Sequence, residues 1–104
     1  MARNARTDKF VKPFHPGEVI KHEVLDPLGM SVNKLAIELR VPVTRISEIV
    51  HGRRGITADT ALRLARFLGT SSRFWLNLQS DYEIRMAERS IGDHIAQQVR
   101  PRVA

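Results

Sequence analysis

The chain has 104 residues, 42% of them hydrophobic, with 17 Lys and Arg against 11 Asp and Glu and a formal net charge of +6. That length holds one domain with a modest core; the absence of cysteine excludes disulfides and thiolate metal sites, and no apolar run approaches the roughly 20 residues that span a bilayer. The basic balance suits a polyanionic partner without specifying one, and a cytoplasmic protein with no membrane association is expected.

Residues 1–13 carry Arg3, Arg6, Lys9 and Lys12 against Asp8, with neither apolar periodicity nor the apolar stretch of a secretory leader. A flexible basic arm is expected there. The first helix is expected to start at His15-Pro16-Gly17-Glu18. Proline suits a first helical turn, where its missing N–H has no partner in any case, and Glu18 sits at the positive end of the helix dipole. Ile20 and Val24 share a face, and Pro27 and Gly29 are expected to stop the helix.

Ser31 is an N-cap for the second helix, whose buried stripe is Val32, Leu35, Ala36 and Leu39. The third helix begins near Pro42 or Val43. Its apolar face is Val43, Ile46, Ile49 and Val50, while Thr44, Ser47, Glu48 and His51 point away, with Arg45 on the flank. Gly52 closes it. Thr57 caps a fourth helix with Ala61, Leu64, Ala65 and Leu68 inside and Gly69 at its end. Ser71 or Ser72 caps a fifth, along which Trp75, Leu78, Tyr82 and Met86 share a face with Phe74 beside them. Gly92 and Asp93 are expected to break it, leaving Ile95, Ala96 and Val99 for a last short turn before Pro101. No strand-like alternation of useful length occurs. The expected fold is all-α: the arm over 1–13, a five-helix domain over 14–90, and a tail over 91–104.

Helices two and three have the parts of a helix-turn-helix. Ala36 is a small residue where the second helix would cross the first, Val41 before Pro42 is biased out of helical space, and helix three buries one face while offering short polar groups on the other. In a major groove, Thr44 can bond a base or set its methyl against thymine, Val43 can make the same apolar contact, Arg45 can reach guanine or phosphate, and Glu48 can accept from cytosine N4. Arg40, Arg53 and Arg54, with Ser31 and Asn33 at a helix N-terminus, are placed for backbone phosphates. The same stripes are compatible with a plain helical bundle.

The segment Leu35-Ala36, Val41-Pro42-Val43-Thr44-Arg45-Ile46 and Ile49-Val50-His51-Gly52 resembles the Cro/repressor type of helix-turn-helix. The flanking His15-Pro16-Gly17-Glu18, Gly52 to Thr57, Ala61 to Ala65, and Phe74-Trp75-Leu76-Asn77-Leu78-Gln79 with Tyr82 are similar to the HigA family of antitoxins. The likeness covers roughly residues 14–90. It implies a lambda-repressor-like bundle and a homodimer that binds double-stranded operator DNA in its own promoter and neutralises a HigB-type, mRNA-cleaving toxin. Groove-facing positions then fall on Val43, Thr44, Ser47 and Glu48, and backbone contacts on Ser31, Asn33, Arg53 and Arg54. One departure stands out: repressors of this type usually carry glycine four residues after Ala36, where this chain has Arg40. A left-handed conformation there costs on the order of 1 kcal/mol for a residue other than glycine.

Helix five carries apolar residues on more than one side, which points to a second burial partner. Phe74, Trp75, Leu76, Leu78 and Tyr82 are the expected dimer interface, a symmetric arrangement that would set two recognition helices about one DNA turn apart. His22-Glu23 begins a zinc-protease motif without the second histidine, and His15, His22, His51 and His94 have no ligand spacing. No metal, cofactor or catalytic apparatus is expected. A stand-alone DNA-binding regulator without a toxin shares the same reading head, and a protein-interaction bundle with incidental charge is a third possibility.

Overall fold

In the computed structural model, which describes residues 13–103, the first helix opens at His15. The imidazole Nδ1 of His15 accepts a hydrogen bond from the Gly17 N–H at 2.9 Å, doing the work usually left to Ser or Asp at an N-cap. Helix α1 runs Pro16–Val19, widens to π geometry over Ile20–Leu25, and closes as an α turn over Asp26–Leu28. Pro27 therefore does not stop it. A regular helix would drive the proline ring into the carbonyl four residues back. Here the Asp26 N–H bonds Lys21 O instead, and the wider turn accommodates the ring. Gly29, at φ 61°, ends the helix.

Helices α2 (Val32–Leu39) and α3 (Val43–Val50) follow. Ser31 Oγ accepts from the Lys34 N–H at 3.0 Å, as its N-cap role requires. Helix α4 (Ala58–Leu68) starts at Thr57 and ends at Gly69, φ 73°. Helix α5 (Ser72–Gln98) starts at Ser71, whose Oγ accepts from the Phe74 N–H at 3.0 Å.

Helix α5 runs 27 residues without interruption, so Gly92 and Asp93 do not break it and the expected separate tail helix is its last two turns. An interior glycine costs about 1 kcal/mol relative to alanine, too little to end a helix flanked by Ala87, Glu88, Ala96 and Gln97. Among the described residues the elements are these five helices, without strands.

One core joins all five helices and the segment between α3 and α4: Ile20, Val24 and Leu25; Leu35, Ala36 and Leu39; Ile46 and Ile49; Ile56; Ala61 and Leu64; and Trp75. No residue of α5 beyond Gln79 is buried, and the molecule measures 51 × 25 × 24 Å, because the C-terminal half of α5 projects from the bundle. Of the basic arm, only Pro13 falls within the described residues, and it is buried.

Candidate nucleic-acid interface

The turn between α2 and α3 is built on Arg40, which takes the left-handed conformation at φ 59° and ψ 44°. It is the one residue other than glycine with positive φ among the described residues. The Arg40 and Val41 N–H groups return to Ile37 O and Ala36 O, both at 3.1 Å. The Arg63 guanidinium, reaching from α4, caps Leu39 O at 3.0 Å. Three hydrogen bonds thus hold a turn that glycine would form without strain.

Helix α3 is seated by Ile46 and Ile49, both fully buried. Its outer surface presents Thr44 and His51 exposed and Ser47 and Glu48 half-buried. Val43, expected on the inner face, is 42% exposed. It occupies the first position of the helix, and side chains there lean toward the N-terminus, away from the seat formed by Ile46 and Ile49. Val43 and Thr44 therefore stand together at the exposed start of α3. Val50, expected inside, is only half-buried.

Charged neighbours flank this face. Arg45 Nη1 lies 2.7 Å from Asp59 Oδ1, and Arg63 Nε lies 2.8 Å from the same oxygen. Hydrogen bonds first from Arg63 and then from Arg45 hold the Asp59 carboxyl below the usual carboxylate range. Arg45 is thus docked against the start of α4. Glu48 pairs with Arg54 at 2.8 Å, so the two are neighbours in one ion pair. His51 Nδ1 lies 2.7 Å from Ser47 O, which occupies one ring nitrogen. Arg40, Arg53 and Asn33 are exposed, while Ser31 Oγ is engaged as a cap.

Of the residues expected at a dimer interface, Trp75 is 1% exposed and belongs to the core of its own chain. Its Nε1 donates to Thr70 Oγ1 at 2.8 Å. A large ring with one satisfied polar atom is ideal filling for so small a bundle. Tyr82 is half-buried and meets the His15 ring edge-on, centroids 4.8 Å apart. Leu76 and Leu78 are half-buried against the core, and Phe74 is 44% exposed. The larger exposed apolar surface of α5 lies further along, at Ile84, Ile91 and Ile95, spaced seven and four residues apart on one helix face.

Several residues that shape the site stand outside the expected set. Asp59 and Arg63, an i,i+4 pair on α4, hold Arg45 and the α2 terminus; their spacing is visible in sequence but their reach across helices is not. Gln79 and His15 secure the segment that follows α3. Gln79 lies four residues after Trp75, a polar group on a buried stripe, which is the one signal that marks it. Among the described residues, no cluster of three or more His, Cys, Asp or Glu could hold a metal ion, and no helix is long and apolar enough to cross a membrane.

The sequence matches the helix-turn-helix family over residues 22–75. It is 52% identical over 75 residues to virulence-associated protein I of Dichelobacter nodosus, covering 72% of this chain and 69% of that one. An addiction module antidote protein of the HigA family from Coxiella burnetii superposes with a TM-score of 0.85 at 48% identity, covering 88% of this chain and all of the other. The Pseudomonas aeruginosa antitoxin HigA, solved with the higBA promoter, superposes with a TM-score of 0.86 at 40% identity, covering 88% and 99%. The family match over the two central helices and the likeness to the HigA proteins along the whole bundle make this chain a member of the helix-turn-helix family, in its HigA antitoxin branch.

Proposed function

We propose that the protein is a sequence-specific DNA-binding antitoxin that represses its own operon and neutralises a HigB-type toxin. The observation that carries the DNA half is α3: buried Ile46 and Ile49 fix the helix while Val43, Thr44, Ser47 and Glu48 remain open to a groove. Exposed Arg40 and Arg53 lie just beyond its two ends and supply cations for backbone phosphates. The Pseudomonas relative, solved with the higBA promoter, supports DNA as the partner.

The antitoxin half rests on the HigA likeness, with a toxin acting in the same cytoplasm. A homodimer joined through α5, with Phe74 and the Ile84–Ile95 face between copies, would present two reading helices to a palindromic operator. The protein contributes binding and no catalysis.

A gel-shift salt series tests the first half. Tight binding to DNA upstream of its own gene, with affinity falling steeply as salt rises, is expected; equal binding to scrambled DNA rules out specific repression. Co-expression with the product of an adjoining small basic reading frame tests the second. Failure to protect cells leaves a stand-alone regulator.

A further inference from the structure

The segment Gly52–Thr57, which carries Arg53 and Arg54, is gripped by side chains from two other helical regions. Gln79 of α5 is 8% exposed, and its Oε1 accepts a buried hydrogen bond from the Ile56 N–H at 2.7 Å. Gly55 permits this approach: a Cβ there would lie 2.7 Å from Gln79 Nε2 and 2.9 Å from Cδ. From the other side, His15 Nδ1 accepts from the Gly17 N–H, so the second ring nitrogen carries the proton, and the ring lies beside this segment, its Cγ 3.9 Å from where a Cβ at Gly52 would stand. Tyr82 braces that ring edge-on. The backbone on both sides of Gly55 is therefore held by α5 and by the start of α1.

We propose that Gln79 and His15 are positioning residues for DNA binding, clamping this segment so that the Arg53 guanidinium stands ready at the phosphate backbone beside the groove, while Arg54 is held to Glu48. The inference rests on the DNA-binding reading above. Its physical basis is preorganisation: a backbone already fixed loses less freedom on association than one that must be ordered by DNA. A phosphate arm anchored this way weakens all sequences alike when released, because it carries no base contact.

The test is a salt series of binding to the upstream DNA and to scrambled DNA, run on the full chain with Gln79→Met, Gln79→Glu, Gly55→Ala, Arg53→Ala and the Gln79→Met/Arg53→Ala double variant. Measurements are made well below each melting temperature. Gln79→Met and Gly55→Ala are expected to weaken both DNAs in parallel and to make the salt slope shallower by about one, the contribution of Arg53. Gln79→Glu keeps an acceptor oxygen in either protonation state and is expected to preserve the slope. The double variant should lose less than the sum of the singles, since the clamp acts through Arg53. A folded Gln79→Met with an unchanged slope, or full additivity with Arg53→Ala, overturns the proposal. Should Gln79→Met fail to fold, Gly55→Ala decides by the same criteria. An unsubstituted chain that does not bind the upstream DNA overturns the DNA-binding reading itself, and the clamp with it.

Discussion

Gly17 packs its Cα directly onto the Ile49 backbone: a Cβ at Gly17 would sit 2.7 Å from the Ile49 carbonyl carbon and nearer still to its oxygen. Helix α1 thereby meets the last turn of α3 backbone to backbone, and α3 is pinned from behind. Gly17→Ala is expected to destabilise the protein by about 1–3 kcal/mol, the usual cost of overpacking. Urea denaturation reads this directly, and a variant as stable as the parent would show that the two helices separate without strain.

Arg40 stores strain in the turn. Arg40→Gly relieves a left-handed cost on the order of 1 kcal/mol and returns part of it through a more flexible unfolded chain. A net gain below about 1 kcal/mol is expected, together with a shallower salt slope for DNA, because one exposed cation is gone. Loss of stability in the glycine variant would mean that the Arg40 side chain contributes packing that outweighs its backbone strain.

Thr44 and Arg53 should separate base reading from phosphate contact. Thr44→Ala is expected to cost about 1–3 kcal/mol on the cognate site and to relax preference at one base pair. Arg53→Ala should weaken every sequence equally. A changed base preference in Arg53→Ala, measured by binding to a panel of single-substituted sites, would reverse these assignments.

Asp59 neutralises Arg45 beside the reading face. Asp59→Asn frees that guanidinium, and binding to scrambled DNA is expected to strengthen while discrimination falls. Because the Asp59 carboxyl is held below its ordinary range, its contribution to stability is present above the unfolded carboxylate range and fades as pH drops through the folded value. The substitution should therefore flatten stability below about pH 4, the ordinary range of a free aspartate. An unchanged ratio of cognate to scrambled binding would show that Arg45 stays docked without its partner.

His15 gives the second pH signature. Burial foremost lowers its pKa, against opposing effects of Glu18 and the Arg54 backbone. The unfolded chain binds this proton first as pH falls, so the folded state loses stability below about 6.5. His15→Asn keeps a capping oxygen and removes the titration. Between pH 7.5 and 5, the parent should lose more stability than the variant; parallel losses would place the pH dependence on other groups.

The helices, their caps at Ser31, Thr57 and Ser71, and the buried stripes of α2 and α4 were legible in sequence because each depends on residues within a turn or two of one another. Helix–turn–helix character followed from the same local periodicities. Pro27 and Gly92 misled in the same direction. Each weakens a helix locally, yet a widened turn absorbs one and strong neighbours override the other.

What local pattern could not reveal is which residues meet across elements. Trp75 and Phe74 are adjacent, but the closing of α5 on the bundle sent one into the core and left the other at the surface. Asp59 gripping Arg45, Arg63 capping Leu39, and Gln79 holding Ile56 link residues 14, 24 and 23 positions apart. The sequence by itself determined which segments are helical, the polar face of α3 and the kind of partner it suits, since these follow from spacing and side-chain chemistry. Tertiary structure alone decided how firmly that face is held and which charges remain free to meet DNA, because those depend on contacts between elements that no local period encodes.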